Sequence, residues 1–187
     1  MRKSSLDDFV EALKSLDEKM DAHGYGTIEI HAIGGFAMMY YGFRKDGYTI
    51  DIDSLTERFD EDVVHLIEEV GCEKGIEEDW LNADCAMLEG FLNDLSEKIN
   101  WKDTNYDFKH IVLKVADVPG LIRSKAKAVH DGGLVPRTTD KKDLISGLIY
   151  VGITNIDELN LSSDYAFIRD EYGRCYSYLE EIKKWQN

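Results

Sequence analysis

Apolar side chains near the start of the chain recur with the period of an α-helix. They stand three or four residues apart from Leu6 to Met20, and Ser5 and Asp8 have the spacing of a capping pair. The pattern predicts a helix over residues 6–21. Similar patterns predict three further helices in this part of the chain: a short one after Gly35, one over 60–70 that Gly71 ends, and one over 85–99.

Three shorter apolar runs have the character of β-strands. They cover residues 27–33, 49–53 and 110–116, and β-branched residues are frequent in them. Helical patterns lie between these runs, and no long linker interrupts the order. The alternation predicts an α/β (α+β) fold for this part of the chain.

Every periodic stretch after Ala116 is helical. The first of these helices follows Asp117 and carries Pro119 in its first turn, where a missing N–H does least harm. The other expected helices begin near residue 139, after Asp157 and, as one long helix, over 164–185. The chain is therefore interpreted as an α/β core over residues 1–116 and a C-terminal helical lobe over 117–187.

One segment combines two features that suit phosphate chemistry. Gly34 and Gly35 follow the first strand and open the next helix, where residues that tolerate positive φ are favoured. Asp51 and Asp53 stand two positions apart on a strand, with about 7 Å between their Cα atoms, so their carboxylates share one face and can bind one hard cation. Taken singly, the glycine pair is also typical of any tight turn, and the aspartate pair of a solvated strand edge.

The combination resembles the nucleotidyltransferase superfamily. Its signature is a strand, a Gly-Gly or Gly-Ser turn, a helix and an Asp-x-Asp strand, and Gly34, Gly35, Asp51 and Asp53 stand in those places. The chain is most similar to the bacterial and archaeal branch that includes abortive-infection type toxins of toxin–antitoxin pairs. The resemblance implies a nucleotidyltransferase-like mixed sheet flanked by helices, with Mg²⁺ or Mn²⁺ bound by the two aspartates.

Other matches to this branch lie between the two motifs and just beyond them. Arg44 and Thr49 stand where the branch often has an arginine and a threonine, and Trp80-Leu81-Asn82 resembles another of its elements. The resemblance implies that Arg44, Thr49 and the two glycines contact a nucleoside triphosphate.

The predicted helical lobe carries the remaining matches. Lys125 falls where the branch has a lysine, and Asp140 and Asp143 resemble its acidic helix. The resemblance implies that Lys125 offsets phosphate charge, facing the same cleft as Asp51, and that the aspartates anchor this lysine or act on the acceptor. From the residues alone, Lys125 is equally typical of a solvated helix lysine, and the aspartates of charges favoured at a helix start.

The reaction implied by the resemblance is transfer of a nucleotide to an RNA end such as that of tRNA, to a protein or to a small molecule. An antitoxin protein is the partner that the toxin branch implies. Many members use a third carboxylate on a later strand, and the strand over 110–116 has none, which leaves Asp107, Glu29 and Asp84 as candidates. The alternative is a catalytically degenerate module of the same fold that binds a nucleotide or a partner.

Composition narrows the partners further. The chain has 37 acidic and 22 basic residues and a formal net charge of −15, so general binding to duplex DNA is not expected. Its three cysteines are widely spaced, which favours free thiols in a cytoplasmic protein over a disulfide framework or a zinc site. No apolar run reaches the length of a membrane span, and no membrane partner is expected.

Overall fold

The chain folds into two compact units, Met1–Asp117 and Val118–Asn187. The computed structural model describes residues 3–44, 47–56, 58–87, 95, 97–133, 136–182 and 185. The described part of the first unit contains strands and helices, and the regular structure described in the second unit is helical. The protein is therefore of the α+β class, as the sequence predicts.

The first unit starts with the predicted helix. Its elements, in chain order, are α1 (Leu6–His23), β1 (Ile28–Ala32), α2 (Gly34–Tyr40), β2 (Ile52–Asp53), α3 (Glu61–Lys74), β3 (Leu81–Asn82), α4 (Asp84–Met87), β4 (Trp101–Asp103) and β5 (Ile111–Ala116). At the start of α1, Ser5 Oγ accepts the Asp8 N–H at 3.2 Å, and Asp8 Oδ2 accepts the Ser5 N–H at 2.8 Å. This reciprocal capping satisfies two backbone donors and confirms the predicted start of the helix.

The strands form a mixed sheet in two hydrogen-bonded parts. In the first part, β1 is parallel to β5, with Ile28 opposite Ile111, and β4 is antiparallel to β5. In the second part, β2 is parallel to β3, with Asp53 opposite Asn82. The strands β3 and β4 are additions to the sequence prediction, since two or three residues are too few for a period to be read.

Backbone hydrogen bonds join the two parts at the end of β1. The Ile33 N–H donates to the Asp53 carbonyl, and the Leu55 N–H donates to the His31 carbonyl, each at 2.9 Å. The segment that contains β2 therefore runs antiparallel beside the end of β1. Because the Gly34–Gly35 turn follows β1 directly, this pairing places the turn next to Asp53.

Aromatic residues from three elements form the centre of the first unit. Phe9 of α1 packs edge-on against Phe36 of α2 at 6.2 Å between ring centroids, and it stacks on Trp80 at 6.3 Å. All three rings are fully buried. The Trp80 Nε1–H donates to the Ile67 carbonyl of α3 at 2.8 Å, which satisfies its polar atom inside the core.

The second unit is a small helical assembly with its own core. Its helices are α5 (Val118–Asp131), α6 (Thr138–Tyr150), α7 (Ile156–Leu161), α8 (Phe167–Asp170) and α9 (Gly173–Glu181). Ile122 of α5, Leu144 and Leu148 of α6, and Leu179 of α9 are among the buried residues of this core. Gly147 lets α6 approach α5 closely, because a Cβ there would stand 3.0 Å from the Ile122 side chain.

The predicted strand over 49–53 is wrong in its first half. The regular strand holds only Ile52 and Asp53, the chain bends at Ile50, and Thr49 forms a separate antiparallel bridge with Ser4. Two different partners cause the change, since residue 49 pairs with the N-terminal segment and β2 pairs with β3. Asp51 therefore precedes the strand, outside the regular alternation that the sequence argument used.

The sequence predicts that Gly71 ends the helix that follows Asp60, and this prediction is also wrong. Helix α3 continues to Lys74 and ends at Gly75, which has a φ of 63°. Gly71 lies inside the helix because the returning chain crosses it closely, so that a Cβ would stand 2.5 Å from the Glu77 carbonyl oxygen. Asp60 precedes α3 but makes no side-chain capping hydrogen bond.

The predicted long helix over 164–185 is divided in the structure. Helix α8 ends at Asp170 and α9 begins at Gly173, because Tyr172 between them leaves the helical conformation with φ −120° and ψ 56°. The Tyr172 ring instead packs on Phe167 at 6.2 Å. Of the helix predicted over 85–99, residues 88–94 and 96 lie outside the described part of the chain.

None of the helices that the structure describes is both long enough and apolar enough to cross a bilayer. The longest described helix, α1, has 18 residues and carries acidic side chains in its first turn. Its apolar side chains form one buried face rather than a continuous apolar surface.

The crossing at Gly71 predicts an unfavourable Gly→Ala substitution inside a helix. Gly71→Ala adds a methyl group against the Glu77 and Glu78 backbone, and overpacking of this kind costs about 1–3 kcal/mol despite the better helix propensity of alanine. Gly173→Ala is the control, because its Cβ would meet nothing within 4 Å. We expect denaturant unfolding to show Gly71→Ala destabilised and Gly173→Ala unchanged or slightly stabilised; equal behaviour would contradict the close crossing.

Candidate functional site

The Gly34 backbone lies directly under the Asp53 carboxylate. Gly34 has a φ of 64°, in the left-handed region that favours glycine. A Cβ at this position would overlap Asp53 Oδ2 and would stand 3.5 Å from Asp53 Cβ. Both the conformation and the lack of space therefore require glycine here, and the two residues that the sequence motif singles out are in contact range.

Gly35 provides a second close approach, to Arg44 and Thr49. A Cβ on Gly35 would overlap Thr49 Oγ1 and would stand 2.6 Å from Arg44 Nη1. The Arg44 guanidinium also donates to the Tyr48 carbonyl at 2.9 Å, which fixes it over the turn. The structure thus brings together five residues predicted from the sequence, namely Gly34, Gly35, Arg44, Thr49 and Asp53.

Asp51 and Asp53 are both partly buried and lie at the start and end of the same short segment. Asp53 is opposite Asn82 in the sheet, and its Oδ1 accepts a hydrogen bond from the Cys85 thiol at 3.4 Å. Asp51 lies one residue before β2. Helix α2, which starts at the turn, has only seven residues, so the close approach of the backbone matters more here than a helix dipole.

The two aspartates match the usual protein contribution to a magnesium site. Mg²⁺ is commonly held by one or two carboxylates, and substrate phosphates and water complete its coordination. Within the described ranges, no cluster of three or more His, Cys, Asp or Glu side chains has the arrangement of a metal site. A magnesium ion that arrives with a nucleotide would need only these two ligands from the protein, and their role as metal ligands stays a prediction.

The three candidates for an additional carboxylate lie in different surroundings. Asp107 is exposed in the loop before β5, and Glu29 on β1 pairs with Lys114 and His31, whose hydrogen bonds lower the pKa of this carboxyl group. Asp84 begins α4 and is the chain neighbour of Cys85, which contacts Asp53. Asp84 is thus the candidate with a structural link to the aspartate pair.

The Trp80-Leu81-Asn82 element connects the aromatic core to the strand that ends at Asp53. Trp80 is part of the aromatic core, and Leu81 and Asn82 form β3, the strand that pairs with β2. The Asn82 side chain accepts the Asp84 N–H at 3.1 Å and donates to the Asp79 carbonyl at 3.3 Å. These bonds fix the chain where it leaves the strand, beside Asp53.

Lys125 lies in the second unit and is buried, so the alternative of a solvated helix lysine is wrong. Its ammonium group forms ion pairs with Asp140 at 2.8 Å and Asp143 at 2.9 Å, and the three side chains are at most 7% exposed. Arg137 Nε also pairs with Asp140, at 2.7 Å. The predicted anchoring of Lys125 by the two aspartates is present, while a shared cleft with Asp51 stays a prediction.

The pKa of Asp140 reflects two opposing effects. Burial raises the pKa of this carboxyl group, because a charged group loses hydration, but the neighbouring Lys125 and Arg137 lower it by more. The net result is a pKa below the ordinary value of 3.8. Asp140 is therefore ionised at neutral pH and forms part of a buried ionic cluster.

Two contributors to the first-unit site were missed in the sequence. The sequence predicts only a free thiol at Cys85, and no spacing rule connects it to Asp53. No sequence pattern marks Ser4, although its backbone exchanges two hydrogen bonds with Thr49, at 2.7 and 3.1 Å. Both contacts join distant parts of the chain, so only the folded sheet could reveal them.

Comparison of this chain with protein-family models, with curated proteins and with solved structures finds no match. The case for a function therefore rests on the arrangement of the residues themselves.

The buried ionic cluster predicts a large loss of stability when its cation is removed. Lys125→Met leaves two buried carboxylates without their common partner, and breaking a buried ion pair in this way costs about 3–5 kcal/mol. Chemical denaturation at pH 7 measures the loss, with Lys14→Met on the exposed face of α1 as the control. Similar stabilities of the two variants would show that the cluster contributes little.

Acid should weaken this cluster in a defined direction. Because the pKa of Asp140 is lowered in the folded protein, its contribution is present above the unfolded-state pKa and is lost as the pH falls below about 4. We expect the stability of the parent protein to decrease more steeply with acid than that of Asp140→Asn. Parallel pH–stability curves for the two proteins would contradict the lowered pKa.

Proposed function

We propose that this protein is a metal-dependent nucleotidyltransferase that moves a nucleotide from a nucleoside triphosphate to an acceptor. The observation that carries the proposal is the pair of close approaches at the Gly34–Gly35 turn. One glycine lies under the carboxylate of Asp53, and the next lies under Arg44 and Thr49. A turn that only reverses the chain does not require a carboxylate, a guanidinium and a hydroxyl group packed against its two glycines.

The topology gives a second line of support. The turn follows β1, and Asp53 ends a strand that runs antiparallel beside β1. This is the order of strand, turn, helix and aspartate strand expected for the nucleotidyltransferase-like fold. A mixed sheet with helices around it is compatible with that fold, which is part of the proposal.

In the proposed reaction, the oxygen of an acceptor hydroxyl group releases its proton to water and forms a bond to the α-phosphorus of the nucleoside triphosphate. The bond from that phosphorus to the bridging oxygen of the β-phosphate breaks, and pyrophosphate leaves with the electron pair. The Gly34 and Gly35 backbone lets phosphate oxygens approach without side-chain obstruction. Arg44 supplies positive charge over the turn, and Thr49 supplies a hydroxyl group beside it.

Asp51 and Asp53 would hold the metal ion. When bound, Mg²⁺ supplies charge neutralisation of the phosphates and lowers the pKa of an acceptor hydroxyl group. Two hydrogen bonds hold Asp53 in place. Its backbone carbonyl accepts one from the Ile33 N–H, and its carboxylate accepts one from the Cys85 thiol. A carboxylate held in this way needs little reorganisation when a cation binds.

A second candidate is a nucleotide-binding module without transfer activity. The observation that favours it is the composition of the site, since Asp51 and Asp53 have no third acidic ligand grouped with them in the described part of the chain. Such a module would bind a nucleotide or a partner through the same turn. The toxin–antitoxin assignment is part of the leading proposal, and an antitoxin-like gene next to this one would support it.

A titration with Mg²⁺ or Mn²⁺ tests the metal site. Binding to the folded protein alone adds about 1.4 kcal/mol of stability when the metal concentration is ten times the dissociation constant. We expect this gain in the parent protein and in a control, Asp62→Asn/Asp103→Asn, whose two carboxylates are exposed elsewhere in the first unit. Asp51→Asn/Asp53→Asn should show little gain, and an equal gain in all three proteins would refute the site.

The activity itself is tested with labelled triphosphates. The purified protein, Mg²⁺, each of the four nucleoside triphosphates and a cell extract should yield a labelled product and pyrophosphate. Asp51→Asn should lower the rate by at least about a hundredfold while the protein stays folded, because the lost group acts on the charge that develops in the transition state.

Asp62→Asn is the matched control for this assay and should retain full activity. Nucleotide binding by the parent protein without transfer from any of the four triphosphates would replace the leading proposal by the binding module. Equal activity of Asp51→Asn and Asp62→Asn would reject the assigned site.

A further inference from the structure

A cavity of about 650 Å³ lies in the first unit between α3 and β3. Its walls come from the segment before α3, from one face of α3, from the turn after it and from the start of α4. Cavities of roughly 300–1,000 Å³ are the usual size for small-molecule sites. This volume is therefore sufficient for a ligand larger than a metal ion.

The cavity is lined by apolar side chains, most of them buried, and by acidic side chains, most of them exposed at its edge. Its apolar part includes Phe59 before α3, Ile67 on α3 and Leu81 on β3, and the last two are buried. Its acidic residues are Glu68, Glu77, Glu78, Asp79 and Asp84. Among the described lining residues, Arg58 alone carries a positive charge.

This charge pattern discriminates between ligand classes. A triphosphate or an RNA end carries several negative charges, and five carboxylates near one opening repel it. A ligand that combines an apolar body with a protonated amine matches both parts of the wall. A bare divalent cation would match the carboxylates but would leave the apolar part of the cavity without a partner.

The cavity adjoins the aspartate pair through β3. Asn82 lines the cavity and stands opposite Asp53 in the sheet, and its carbonyl accepts the Ser54 N–H at 2.8 Å. Asp84 lines the cavity too, and the next residue, Cys85, contacts Asp53. A molecule in the cavity would therefore lie next to the strand that carries Asp53, one of the two residues proposed to hold the metal.

We propose that this cavity binds a small molecule with an apolar body and at least one protonated amine. The inference rests on the proposed function in one respect: the bound amine is the acceptor, and a hydroxyl group on it attacks the α-phosphorus. Of the acceptor classes open to a nucleotidyltransferase, the structure thus favours a cationic small molecule over RNA.

A fluorescence titration with three dansyl compounds tests the binding. The three compounds share one apolar ring system and differ in charge. Dansylcadaverine carries a primary ammonium group, dansylamide is neutral and dansylglycine is anionic. We expect one dansylcadaverine to bind per chain, at least about tenfold more tightly than dansylamide, and dansylglycine to bind weakest, because the carboxylates act on charge alone. Equal affinities for the three compounds would overturn the proposal.

Two variants locate the bound amine. Glu78→Gln/Asp79→Asn removes two exposed carboxylates from the cavity edge and should weaken dansylcadaverine binding several-fold. Val64→Trp should fill the cavity and also weaken this binding. The matched control is Asp164→Asn/Glu180→Gln, which removes one aspartate and one glutamate exposed in the second unit. Equal weakening in the control and the edge variant would overturn the proposal, because it would reflect net charge rather than this cavity.

A last comparison separates this inference from the proposed function. Dansylcadaverine should stay bound when Mg²⁺ and a non-hydrolysable ATP analogue are added, whereas its displacement by the analogue or by Mg²⁺ alone would make the cavity a nucleotide or cation subsite and overturn the proposal. Absence of amine binding refutes the cavity and leaves the transfer assay unaffected. Amine binding without transfer from any triphosphate refutes the proposed enzyme and its acceptor, while the amine site stands.

Discussion

The candidate site depends on the backbone pairing between the end of β1 and the segment that contains β2. The hydrogen bonds from Ile33 to Asp53 and from Leu55 to His31 hold these segments side by side. Since β1 leads directly into the Gly34–Gly35 turn, the pairing leaves the turn no space for side chains of its own. The sheet pairing therefore favours glycine at both positions. Asp53, Arg44 and Thr49 occupy the space that larger side chains at residues 34 and 35 would fill.

The elements that could be predicted from the sequence are those whose signal is local. Helix α1 has many periodic positions and its own capping box, and β5 is apolar at every position except Lys114, so neither needs a distant partner to be recognised. The glycine turn and the aspartates could be singled out for the same reason, because residue type and spacing carry their chemistry.

The errors arise where a contact outside the helix or strand overrides its local pattern. The strand at Thr49 is divided because Ser4 pairs with it, and Gly71 stays helical because the Glu77 backbone crosses it. Tyr172 interrupts an otherwise continuous helical pattern because its ring is buried against Phe167. In each case the local pattern alone does not predict the backbone, because a contact outside the element decides it.

The burial of Lys125 changes what its positive charge can do. Its ammonium group is held by Asp140 and Asp143 in a site with little water, and Arg137 completes an arrangement of two cations and two carboxylates. A phosphate group would have to replace two short ion pairs to use this charge, and each displaced carboxylate would lose its partner in a poorly hydrated place. Arg44 Nη1 instead lies beside the turn, where it donates to the Tyr48 backbone carbonyl at 2.9 Å. The geometry therefore assigns Lys125 first to the stability of the helical unit.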